Sequence, residues 1–128
     1  MASLFLAPLL RNAGGPHRLI NLTRDLVLAT NVTGAFDSRS RKTGLLRRSS
    51  IADDEALVIA PSNAVHMFGM QFPIDVLFVR RNGEIVKRVI ALKRRRIAIA
   101  WRAFAAIELS ADHPGVALSA VGDRLVIE

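Results

Sequence analysis

The sequence predicts a mainly β (α+β) domain: an antiparallel β-sandwich, jelly-roll-like or a partly closed barrel, with one short flanking helix. Three observations predict it. Short apolar runs recur with turn residues between them, the spacing of all-β sandwiches and barrels. Asn82-Gly83 separates two strand patterns, the strongest short-range hairpin signal, and a type I′ turn there needs φ > 0 at both positions. Pro73 opens an apolar run, Ile74 to Arg80, broken only by Asp75 and the closing arginine, and burial on both sides marks a central strand.

Taken in order, residues 1–16 read as an apolar N-terminal arm and linker, and 17–128 as a single β-rich domain. Met1 to Leu10 is apolar apart from Ser3 and lacks the basic start of a signal peptide. It reads as a degenerate leader, an arm docking on the domain, or a translated stretch upstream of the true start; a loosely held arm is favoured. Glycines and a proline within Asn12–Pro16 make a turn or linker. Strands are expected near Arg18–Thr23 and Asp25–Thr30. Ala35 to Arg48 is polar and basic, with Phe36, Lys42, Leu45 and Leu46 able to share a helix face. Gly44 costs about 1 kcal/mol inside a helix, so the helix is expected to end close to Leu46.

Ile51–Glu55 reads as an acidic turn, and Ala56–Ala60 as a strand stopped by Pro61. Val65–Met70 is extended or looped. Pro73, which lacks an N–H, suits the first position of the strand that follows it. The return strand of the hairpin runs from Glu84 to Leu92, and Lys93–Arg96 is a basic surface turn. Ile97, Ile99 and Trp101 alternate with alanines and so line one face. Ala105–Leu109 is another strand, with Ile107 and Leu109 opposite Glu108. Asp112-His113-Pro114-Gly115 turns the chain, a short helical turn follows through Val116–Ser119, and Arg124–Ile127 is the last strand.

A chain of 128 residues can bury its own core, and 51% hydrophobic residues exclude general disorder. Cysteine is absent, which removes disulfides, thiolate metal sites and a cysteine nucleophile. The net charge of +7 favours anionic partners, although a solvated arginine-rich surface explains it as well. No run reaches the roughly 20 apolar residues that cross a bilayer. Cytoplasmic location is favoured, with export the alternative if residues 1–10 are a leader. Asn21 and Asn31 begin Asn-x-Thr triplets, discounted without a secretory signal.

His66–Met70 with Phe72–Val76, Gly44–Arg48, Asn82-Gly83, Trp101 with Ala106–Leu109, and Gly122–Arg124 together resemble, in order and spacing, the domain of unknown function 192 (DUF192) family. His66-Met67-Phe68-Gly69-Met70 with Phe72-Pro73-Ile74-Asp75-Val76 is similar to its His-Thr-Phe-Gly-Met-x-Phe-Pro-Ile-Asp-Val. Gly44-Leu45-Leu46-Arg47-Arg48 resembles Gly-Leu-Met-x-Arg, Asn82-Gly83 stands at its Asp-Gly hairpin, and Gly122-Asp123-Arg124 resembles its closing Gly-Asp-Arg. Trp101 followed by Ala106-Ile107-Glu108-Leu109 is similar to its Trp and Val-Leu-Glu-Leu. The resemblance spans roughly Leu26 to Val126 and implies a β-rich sandwich- or jelly-roll-like fold with one flanking helix; it implies no reaction. Leu46 departs from the usual Met, Ser110 from a common Pro, and Asp112–Ala120 is shorter than the family's usual helix.

The candidate binding residues are His66, Met70, Asp75, Trp101 and Arg48. A carboxylate beside a histidine fixes its tautomer, so His66 and Asp75 could form a general base or metal site if they converge. The simpler reading has His66 bonded to backbone and Asp75 satisfying loop amides, since buried polar groups need partners in any case. Met67, Phe68, Met70 and Phe72 could floor an apolar pocket but suit plain core equally well. His17, His66 and His113 show no local metal-ligand spacing, and no nucleophile elbow, P-loop or dinucleotide signature occurs. No cofactor and no metal are expected. Two basic groups, Arg39–Arg48 and Arg80–Arg96, lack interleaved aromatics apart from Trp101, which argues against nucleic acid. The expectation is a binding or accessory module for an unidentified ligand or protein partner. The alternatives are a small enzyme using His66 and Asp75, and an electrostatic binder of anionic polymer.

Overall fold

The computed structural model describes residues 5–128. The chain begins with helix α1 (Ala7–Arg11), strands β1 (Leu19–Asn21), β2 (Leu26–Ala29) and β3 (Asn31–Ala35), helix α2 (Ser38–Thr43), β4 (Glu55–Ile59) and β5 (Ala64–His66). It continues through β6 (Ile74–Val79), β7 (Ile85–Leu92), β8 (Ile97–Ile99), β9 (Ala105–Ser110), α3 (Pro114–Leu118) and β10 (Leu125–Ile127). The protein is mainly β, of the α+β class, and its sheets do not close into a barrel.

The frame is a five-stranded sheet in the order β3-β4-β9-β6-β7. Two of its inner strands, β6 and β9, are buried at all their positions, as expected for β6 from its run apolar on both faces. They pair antiparallel in unbroken register from Ile74↔Ser110 to Val79↔Ala105. Alternation along these strands sends Leu77, Val79, Ile107 and Leu109 into one core and Ile74, Val76, Phe78 and Ala106 into another. The first core is covered by the small sheet β10-β1-β2, by Val116 of α3 and by Phe5, Leu6 and Leu9 of the N-terminal segment. The second is covered by the antiparallel ribbon β5-β8 and by Leu45, Met67 and Met70. Phe78, wholly buried in the second core, contributes about 2–3 kcal/mol by its apolar area alone.

Several elements differ from the sequence expectation, each for a local reason. The N-terminal segment is docked rather than loosely held, because Phe5, Leu6 and Leu9 are all buried. The first four residues of the expected arm lie outside the described residues. The expected helix over 35–48 shrinks to Ser38–Thr43. Asp37 caps its start, accepting a 2.8 Å hydrogen bond from the Ser40 amide, and Gly44 ends it at φ +44°. Residues 31–34, read as no element, and Ala35, read as the start of the helical segment, instead form β3, which pairs parallel with β4, so α2 lies on a crossover. The Asn82-Gly83 reversal is present, but only Gly83 has positive φ, so the turn is not type I′. The Gly83 amide bonds to the Arg80 carbonyl and the Arg80 amide to the Glu84 carbonyl, a turn closed by a left-handed glycine. A Cβ on Gly83 would lie 2.1 Å from the Leu125 carbonyl oxygen, so close packing of β10 demands glycine there.

Candidate functional site

Glu108 is the focus of the site. It sits on β9, the middle strand of the large sheet, opposite Leu57 of β4 and Val76 of β6. It is 5% exposed, and among the described residues no side chain or amide donates a hydrogen bond to its carboxyl or forms an ion pair with it. Burial therefore acts alone and pushes its pKa up to about 7. Its Oε1 would lie 3.9 Å from a Cβ placed on Gly44, so the carboxyl reaches the end of α2.

The carboxyl opens into a cavity of about 140 Å³ between α2 and the β5 edge. Leu45, Val65, Ile59 and Met70 supply apolar wall, while Arg41, Lys42 and His66 bring positive or protonatable groups to it. The Arg41 guanidinium is steadied by a 3.0 Å hydrogen bond to the Phe36 carbonyl. A buried acid with no donor among the described residues, facing a partly apolar hollow with cationic groups nearby, can receive a hydrogen-bond donor from a ligand or exchange a proton near neutral pH.

The structure brings together only two of the candidates read from sequence, His66 and Met70, which both line this cavity. Asp75 lies elsewhere. Strand alternation puts it on the same face as Leu77 and Val79, whereas Glu108 faces the other core with Val76. Its Oδ1 accepts from the amides of Ala91 at 2.7 Å and Asp112 at 2.9 Å, and its Oδ2 from the amide of His113 at 2.9 Å. Wholly buried and tied to three amides, it anchors β6 to the ends of β7 and β9. The alternative in which His66 pairs with Asp75 is therefore absent from this cavity, and Asp75 accepts from loop and strand-end amides. His66 is exposed on β5, its ring centroid 5.7 Å from that of Phe68. Arg48 forms a two-pronged 2.8 Å ion pair with Glu55 and is not part of the cavity lining. Trp101 is 80% exposed just beyond β8.

The other two histidines are structural. His113 Nδ1 accepts from the Gly115 amide at 3.0 Å, capping α3, while Nε2 donates to the Asp53 carbonyl at 2.8 Å. His17 bonds to the Glu128 and Asn12 carbonyls. Among the described residues no group of three or more histidines and acids is placed to hold a metal ion. No helix there is long and apolar enough to cross a membrane.

The profile of the family described as DUF192, Uncharacterized ACR, matches residues 20–127. The chain belongs to the DUF192 family. Two solved structures share the DUF192 chain's fold. One is a protein of unknown function from Novosphingobium aromaticivorans DSM 12444, with TM-score 0.72 and 17% identity, covering 86% of this chain and 82% of that one. The other, from Sinorhizobium meliloti 1021, is provisionally described as a transcription regulator; its TM-score is 0.70 and identity 24%, covering 85% and 89% of the two chains. No curated protein matches the DUF192 chain. The sequence reading places Glu108 opposite Ile107 and Leu109 on its strand and gives it no role; the structure buries both faces of that strand. Two signals were available: a lone acid inside Ala105–Ser110, and its place in the DUF192 Val-Leu-Glu-Leu pattern.

Proposed function

We propose that the domain is a binding module for a small polar molecule, received in the cavity beside α2 with Glu108 as the specific contact. The observation that carries this reading is the largely buried carboxyl at the cavity wall, to which no described residue donates a hydrogen bond. An isolated buried acid is costly unless something satisfies it, and a ligand donor would do so. The hollow is close in size to one that holds a six-membered ring, about 150 Å³. Lys42, Arg41 and His66 add a preference for a second, acidic or acceptor group. Small amino acids and hydroxy acids combine these features, with an amino or hydroxyl group toward Glu108.

A thermal-shift panel of small amino acids and hydroxy acids, run on the wild type and on Glu108→Gln, tests this. A ligand at one hundred times its Kd stabilises the folded state by about 2.7 kcal/mol. The expected result is a ligand that raises Tm of the wild type but not of E108Q, with affinity rising as pH passes upward through about 7 and Glu108 ionises. Ligands that stabilise both proteins equally would reject Glu108 as the contact.

A further inference from the structure

We propose that the outer face of the β5-β8 ribbon docks on an anionic lipid bilayer surface. In β8, Ala98 is buried while Ile97 and Ile99 point outward; in β5, Val65 is buried while Ala64 and His66 point outward. Ile97 is 57% exposed and Ile99 38%, and Phe68 and Trp101 beside them are 52% and 80% exposed. These apolar groups occupy one stretch of surface. Phe68 follows His66 at one end of the ribbon, where Lys93–Arg96 is held against it by hydrogen bonds between Met67 and Arg95 and Arg96. Trp101 and Arg102 lie at the other end, where the Ala100 amide bonds to the Asn63 carbonyl.

The charge on this face is of one sign. Between Glu84 and Glu108 the sequence has no acid, and between Glu55 and Asp75 it has none either. Lys93, Arg94, Arg95 and Arg96 are all exposed, and among the described residues none of them forms an ion pair. Lys87 crosses from β7 to donate to the Ile99 carbonyl at 2.9 Å, adding a further cation at the ribbon. Exposed aromatic and aliphatic groups fringed by arginine and lysine match the requirements of an anionic interface: apolar groups enter the headgroup boundary while cations meet lipid phosphate.

The other occupants fit less well. Single-stranded nucleic acid is held by bases stacking on successive aromatic rings; Phe68 and Trp101 offer rings at the two ends of the ribbon, but Ile97 and Ile99 between them offer none. A second copy of the chain joined through the same patch would set two basic turns against each other. Ala64 and His66 border both this face and the cavity beside α2, but Glu108 takes no part in the face, so Glu108→Gln separates the ligand reading above from this one.

Trp101 is the sole tryptophan and tyrosine is absent, so its emission reports this face alone. The full chain is mixed with phosphatidylcholine–phosphatidylglycerol vesicles and, separately, with pure phosphatidylcholine vesicles. The expected result is co-sedimentation and a blue shift of Trp101 with the mixed vesicles only, both weakening as salt is added. Arg94→Gln with Arg96→Gln lowers affinity for those vesicles by about 30-fold, roughly fivefold per cation. Ile97→Ser with Ile99→Ser, at exposed positions, lowers binding and the blue shift while the circular dichroism spectrum is retained. Absence of binding to mixed vesicles at low salt overturns the proposal, as does equal binding to both vesicle types. Quenching of Trp101 by a single-stranded oligonucleotide without any vesicle-induced shift, or a dimer in sedimentation equilibrium that protects Trp101, overturns it in favour of those occupants.

Discussion

Asp75 and Glu108 stand on neighbouring strands of one sheet, both buried among apolar side chains, yet they face opposite cores. Asp75 accepts three amide hydrogen bonds and joins the ends of three strands. Glu108 accepts none from the described residues and faces a hollow. Burial is nearly the same in the two cases; the supply of donors is what differs. A carboxylate surrounded by fixed amides serves the fold, whereas one left without them has capacity for something from outside.

The largest test of this contrast removes the satisfied acid. Asp75→Ala leaves three amides without their acceptor, at roughly 1–3 kcal/mol each, so a loss of about 5 kcal/mol is expected in urea unfolding. A loss below about 1 kcal/mol would show that water replaces the carboxylate easily and would erase the distinction.

Glu108 should behave in the opposite sense. Its folded pKa of about 7 lies above the ordinary 4.5, so the folded state holds the proton more tightly than the unfolded one. Its contribution is complete below pH 4.5 and declines by about 3 kcal/mol as pH rises to about 7. Glu108→Gln removes that decline and leaves the protein more stable than the wild type at pH 8, as read from urea unfolding of both across pH. A wild-type curve that does not decline relative to E108Q over this range would mean that Glu108 has a donor in solution.

Ser110 sharpens the comparison at a smaller scale. It shares the strand and face of Glu108, and its hydroxyl is buried without a partner among the described residues. Ser110→Ala is expected to be neutral or to stabilise by up to about 1 kcal/mol. Arg48→Ala should have the smallest effect, below about 1 kcal/mol, since its pair with Glu55 is partly exposed and screened by salt. Double-mutant cycles with Glu55→Ala measure that term directly.

The sheet was largely legible in the sequence because its strands are marked locally. Pro73, the apolar run after it and the glycine at position 83 all act within a few residues of where they stand. The parallel pairing of β3 with β4 was not legible: Asn31-Val-Thr-Gly-Ala is short and contains Gly34, and its partner is set by a crossover rather than a turn. The same limit governed the site. Asp75 and Glu108 are both lone acids in apolar strands, and nothing local says which will find amides. That depends on positive-φ residues Ala91 and Asp112 at the ends of other strands, which aim two of the three N–H groups at Asp75. His66 does line a cavity, but its acidic neighbour there comes from β9, a distant part of the chain.

The small sheet β10-β1-β2 has a consequence for how the chain acquires its shape. Its middle strand borrows one partner from the residues that follow it at once and the other from the far end, Leu19 meeting Ile127. As the chain emerges from the ribosome, β1 therefore waits with one edge bare until residues 125–127 have been made. A bare edge is a template for another chain, so nascent or C-terminally shortened molecules will depend on chaperones far more than the finished one.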